Sequence, residues 1–121
     1  MSNVKLCEDE LHKRLSALGV EEITDPKALR AFLEGYDFMK LGQAINRGQW
    51  NSAMMILKRM DASVQKLGIR CMIQPLKTVR LAVLGRNVKQ AKQAQAALIG
   101  KRVQLIKCMK EWESEGESQR E

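Results

Sequence analysis

Residues 49–68 read QWNSAMMILKRMDASVQKLG. Within them Trp50, Ala53, Leu57, Met60, Val64 and Leu67 recur at steps of 3, 4, 3, 4 and 3. That rhythm draws one apolar stripe along a helix, as in a helix packed inside a bundle. Gly68 closes it, because glycine adopts the left-handed conformation that ends helices. The same rhythm continues downstream through Ile69, Met72, Leu76, Val79 and Val83. Pro75 must then sit in a first turn or kink the helix, since an interior proline removes a backbone hydrogen bond. Gly85 ends this element. Asn87 can cap a last helix bearing Val88, Ala91, Ala94, Leu98, Leu105, Met109 and Trp112, with Gly100 as a local loosening point.

Upstream, Asp37 is expected to cap a helix that carries Phe38, Leu41 and Ile45 and ends at Gly48. Before it, Thr24-Asp25-Pro26 opens another. Asp25 accepts free N–H groups there, and Pro26 suits the first helical position, which needs no N–H. This second helix carries Leu29, Phe32 and Leu33 and stops at Gly35. The first helix spans about Val4–Leu18, with Leu11, Leu15 and Leu18 on one side and Gly19 as its stop. No segment alternates with period two, so strands are not expected. The connections at 47–49, 68 and 85–87 are too short for anything but antiparallel neighbours. The expected fold is all-α: an antiparallel up-down four-helix bundle built from the last four helices, with additional N-terminal helical segments packed against one end. Residues 1–112 form that single unit, and 113–121, without an apolar residue, are expected as a disordered acidic tail.

The 121 residues are 45% hydrophobic and 29% charged, enough apolar material for one core. No apolar run, Ala96–Ile99 among them, approaches the length of a bilayer span, so no membrane partner is expected. The polar, acidic N-terminus lacks the apolar stretch of a secretory signal. Cys7, Cys71 and Cys108 are odd in number and widely spaced, which argues against a disulfide framework and for a reducing cytoplasm. No Cys-x-x-Cys pair and no glycine-rich phosphate loop occurs, and His12 is the one histidine, so neither a metal site nor a cofactor is expected. Net charge is +7, unevenly spread. Residues 1–61 hold nine basic and nine acidic groups. Residues 62–110 hold eleven basic groups and no acid, and 111–121 hold five glutamates against Arg120. Such a field draws acidic surfaces or phosphates, although a plain solvated lysine-rich helix surface would carry the same charges.

Within Phe38–Met109, the lead-in over Ala44–Ala53 and the run Lys58–Gly68, which ends in Leu67-Gly68, together resemble a histidine-phosphotransfer domain of two-component signalling. The bundle-like region spans about 37–112. The resemblance rests on the lead-in Ala44-Ile45-Asn46-Arg47-Gly48-Gln49-Trp50-Asn51-Ser52-Ala53. It rests also on Lys58 to Gly68, where Leu67-Gly68 matches the end of the family motif His-x-x-Lys-Gly-x-x-x-x-Leu-Gly and Ser63 is a small residue common after its glycine. Lys58 stands in place of the phosphoaccepting histidine, Asp61 in place of the motif lysine and Ala62 in place of its glycine. The relay needs a neutral imidazole nitrogen to attack an aspartyl phosphate and a cation to steady the phosphoryl oxygens. A lysine, with an ordinary pKa of about 10.4, is protonated near neutral pH and has no lone pair to offer. Asp61 would repel a phosphoryl group. The resemblance therefore implies a non-catalytic module, a pseudo-phosphotransfer domain acting as a signalling adaptor, and not an enzyme. Family members dock a response-regulator receiver domain, or a histidine kinase, on the corresponding face. Here that face would carry Met55, Lys58, Arg59, Ala62 and Lys66. Lys58 could reach an acidic receiver pocket as a point charge. Lys58 and Arg59 read equally as solvated residues, with Asp61 within one turn of Lys58 as an ion-pair partner.

Other residues carry weaker signals. His12, one turn from Glu8 and Asp9, suits a solvated helix face. Cys71 and Cys108 fall near core positions, as small buried hydrophobes. Met39, Met54, Met55 and Met60 suit core stripes, or an adaptable binding surface. The alternative function is a basic helical nucleic-acid-binding module, with Arg86, Lys89, Lys92, Lys101, Arg102, Lys107 and Lys110 following a phosphate backbone. Against it, only five aromatic residues occur, and Trp50 and Trp112 lie on apolar stripes, so bases have no stacking platform.

Overall fold

The computed structural model describes residues 2–21 and 25–119, with side chains over 10–21 and 25–114. Among the described residues every regular element is helical. In chain order these are α1 (Ser2–Ala17), α2 (Pro26–Glu34), α3 (Asp37–Asn46), α4 (Trp50–Leu67), a 3-10 turn (Arg70–Met72), α5 (Ile73–Leu84) and α6 (Val88–Gln119).

The helix ends follow local chemistry. Asp25 is extended (φ −146°), and its Oδ1 accepts the Ala28 N–H at 3.1 Å, with Pro26 opening α2 behind it. Gly68 takes φ +70°. Its N–H donates to the Gln65 carbonyl, and the Ile69 N–H reaches back to the Val64 carbonyl at 3.0 Å, closing α4. Asn87 Oδ1 accepts the Gln90 N–H at 3.0 Å and caps α6. Pro75 lies in the first turn of α5.

Two expectations are corrected. Asp37 does not cap α3: Tyr36 is already in helical geometry, and its carbonyl accepts the Lys40 N–H. Asp37 is thus one position inside the helix. Gly100 does not loosen α6, which runs unbroken past it because Leu98 and Leu105, both buried, hold the helix on either side. Of the acidic segment 113–121, the structure describes the backbone as far as Gln119. The backbone of α6 continues helically to Gln119, started on that course by the half-buried Trp112 and by an ion pair between Glu113 and Arg30. Residues 120 and 121 of the expected tail lie outside the described residues.

The stripe on α4 is the middle of the core. Ala53, Leu57, Met60 and Val64 are buried, Trp50 and Leu67 half-buried, and Ile56 joins them. On one side α4 packs against α3, on the other against α5. α6 closes the set by packing on both α3 and α5. α1 and α2 lie against α6, supplying Leu11, Leu15, Leu29 and Leu33 to the same core. The chain leaving α1 crosses the link between α4 and α5. There Cys71 donates its N–H to the Gly19 carbonyl and Glu21 to that of Gly68. At Gly19 (φ +99°) a Cβ would fall 2.6 Å from the Cys71 Cβ, so only glycine fits. Gln95 is the buried polar residue of this interior, and its Nε2 donates to the Phe38 carbonyl at 3.2 Å, tying α6 to α3.

Candidate partner-docking face

Helical spacing of about 100° per residue sets Met55, Lys58, Arg59, Ala62 and Lys66 on the side of α4 that faces away from its buried stripe. All five are exposed, Met55 by 68%. They do not act alike. Arg59 Nη2 is bound to Asp37 Oδ1 at 2.9 Å, which fastens α4 to the start of α3. Its charge is therefore partly answered within the chain. Lys58 and Lys66 have no ion-pair partner among the described residues. Asp61 does not pair with Lys58, and instead accepts the Gln65 Nε2 at 3.0 Å, one turn on.

Lys58 and Asp61 stand at the edge of a groove of about 630 Å³ between α4 and α5. Met54, Met55 and Leu57 form its α4 wall, and Ile73 and Leu76 the α5 wall. Lys77 and Arg80 complete its rim, both exposed. An apolar floor framed by three cations and one carboxylate can bind an acidic surface through charge and apolar contact. The groove offers no imidazole and no thiol.

Sequence reasoning missed the α5 half of this groove. The signal was present, since Ile73, Lys77 and Arg80 recur at steps of 4 and 3, and Ile73 remains 45% exposed. In the sequence the buried stripe of Leu76, Val79 and Val83 on the same helix masks it. The methionines divide: Met60 is buried and Met54 half-buried, but Met39 and Met55 are open to solvent.

The remaining candidates fall elsewhere. His12 is exposed on α1. Cys108 is buried and Cys71 half-buried against the core, and burial pushes both thiols above their ordinary range. For Cys71, the nearby Lys101 pulls weakly the other way. The Cys7 side chain lies outside the described residues. No grouping of metal-ligating side chains occurs among the described residues. Arg102 is used internally: its Nε donates to the Leu33 carbonyl at 2.6 Å, and its guanidinium lies 5.3 Å from the centre of the Phe38 ring. It is thereby removed from any row of phosphate-binding cations. Lys101 is half-buried, whereas Arg86, Lys89, Lys92, Lys107 and Lys110 are exposed. Among the described residues no helix is long and apolar enough to cross a membrane. No family model matches the chain, and neither a curated protein nor a solved structure matches it.

Proposed function

We propose that this chain is a non-catalytic, histidine-phosphotransfer-like adaptor of the cytoplasm. In this reading α3 to α6 form an antiparallel up-down four-helix bundle with α1 and α2 as additions, and α4 presents the docking face to a response-regulator receiver domain or a histidine kinase. The observation that carries the reading is the exposed Lys58, unpaired with any described carboxylate, at the motif position where the family has its phosphoacceptor. Around it the α4–α5 groove supplies what docking needs. Met55 and Ile73 give apolar contact, and Lys77 and Arg80 add charge of the sign that an acidic receiver pocket attracts. In this reading the α4 face offers no imidazole to take up the phosphoryl group, and the partner is held without being dephosphorylated.

The test is a titration of isotope-labelled chain with receiver domains, followed by NMR. Shifts confined to the outward faces of α4 and α5 are expected. Lys58→Glu or Met55→Asp should weaken binding at least tenfold without changing the unfolding transition. Shifts confined to other helices, or affinity indifferent to both substitutions, would remove the proposal.

A further inference from the structure

A second charged surface lies on α6, away from the α4 groove, and its reading does not depend on the one above. At about 100° per residue, Lys89 and Lys107 lie eighteen positions apart and point the same way, as do Lys92 and Lys110. All four are exposed, and none has an ion-pair partner among the described residues. They stand opposite the buried side of the helix, formed by Ala91, Leu98, Leu105 and Met109. Between the two lysine pairs the ridge is low. Ala96 and Gly100 lie outward there, and a Cβ on Gly100 would meet nothing within 4 Å. Arg86, exposed in the turn just before α6, extends the row at its start, and Glu111 ends it. No carboxylate lies between Asp61 and Glu111 in the sequence. Helix surfaces ordinarily mix both signs, and here, among the described residues, carboxylates meet the ridge only at its C-terminal end, where Glu34 of α2 and Glu111 line a shallow hollow with Lys107 and Lys110.

We infer that this ridge of α6 is a binding surface for the phosphate backbone of a nucleic-acid duplex, recognised without regard to base sequence. The distance from Lys89 to Lys110 is about 32 Å at 1.5 Å per residue, close to the ~34 Å of one duplex turn. Two lysine pairs at the ends of a straight, low ridge suit a rigid rod carrying regularly spaced charge. A single strand is disfavoured, since no aromatic side chain stands on the ridge to stack bases. An anionic lipid surface is disfavoured too. Ile99 and Val103 are the exposed large apolar residues on this side of α6 among the described residues, and an interfacial helix needs a whole apolar face to insert.

Fluorescence anisotropy of the full chain with a labelled duplex of about 20 base pairs tests this, beside the matching single strand and vesicles rich in phosphatidylserine. Saturable duplex binding is expected at about 50 mM salt, with log affinity falling against log salt at a slope of about −4, as for four to five phosphates neutralised. Lys89→Glu with Lys92→Glu should weaken it at least tenfold while circular dichroism stays unchanged. Lys58→Glu, on the other face, should alter it less than threefold. The absence of duplex binding at low salt overturns the inference. So does binding that ignores the charge reversals, equal or tighter binding of the single strand, or capture by vesicles in place of the duplex. Receiver docking through Lys58 is read by separate variants, so either surface can fail without the other.

Discussion

Arg86 sits at φ +51° between α5 and α6, a backbone region that costs a side chain with a Cβ about 1–2 kcal/mol and glycine almost nothing. Glycine returns part of that difference through its freer unfolded chain. Arg86→Gly should therefore stabilise the fold by about 0.5–1 kcal/mol in denaturant titration, and a loss of stability would show that the arginine makes a supporting contact. Arg102 is the opposite case, a cation held by the fold. Its bond to the Leu33 carbonyl and its place over Phe38 tie α6 to α2 and α3. Arg102→Ala should cost about 1.5–3 kcal/mol, the usual worth of a hydrogen bond to a charged group, whereas Lys107→Ala should leave stability nearly unchanged. Unfolding curves of the two variants decide it. Sequence alone could not separate these arginines and lysines, because what distinguishes them is a carbonyl and a ring reached across the tertiary fold. The thiols follow the same logic. A raised pKa leaves less thiolate at a given pH, so at pH 8 Cys71 and Cys108 should alkylate more slowly in the folded chain than in denaturant. The sign also makes their contribution to stability fully present below the ordinary thiol pKa and lost as pH rises through the higher folded value. Equal alkylation rates in both states would contradict the burial of these sulfurs.

α4 was legible before any coordinates, because its apolar residues keep a strict three-four spacing and Gly68 marks its end. Leu57→Ala should cost about 2–5 kcal/mol, as truncation of a buried leucine does, and a loss under about 1 kcal/mol would take that stripe out of the core. The reading was too narrow at Ile56, which lies beside the stripe and is buried all the same, since α4 is flanked by both α3 and α5. α2 was legible from Asp25-Pro26, where capping and proline placement agree. α3 was misread by one residue, because an aspartate one position inside a helix looks like a cap in sequence; its carboxylate goes to Arg59 instead. The groove was half legible: the α4 side follows from one helix, but its α5 side exists only once two helices are set together. The end of α6 was illegible for another reason. Beyond Trp112 there is no apolar residue to announce a helix, and the ion pair of Glu113 with Arg30 joins residues far apart in the chain. On the same helix, Gly100→Ala should stabilise by about 1 kcal/mol, the propensity difference between the two residues, because open space surrounds the position.

At the scale of the whole molecule, charge is sorted by region. Residues 38–110, which run from the second residue of α3 through α5 and most of α6, hold fifteen basic residues and a single acid, Asp61. Residues 1–37 and 111–121 hold thirteen acidic residues and six basic ones. A field of this kind attracts anionic partners to one part of the molecule and weakens as salt rises. It does not by itself choose among partners. Local shape makes the choice: an apolar groove beside Lys58 suits a protein surface, and a low ridge between lysine pairs suits a rod of phosphates. The proposed adaptor role rests on Lys58, a cation at the position where the resembled family has its phosphoacceptor. Its most direct measurement mixes the chain with a receiver domain carrying radiolabelled aspartyl phosphate and then separates the complex. The account predicts a complex in which all label stays on the receiver, and which Lys58→Glu abolishes. Acid-labile label on any residue of this chain, His12 included, or a complex that Lys58→Glu leaves intact, would contradict it.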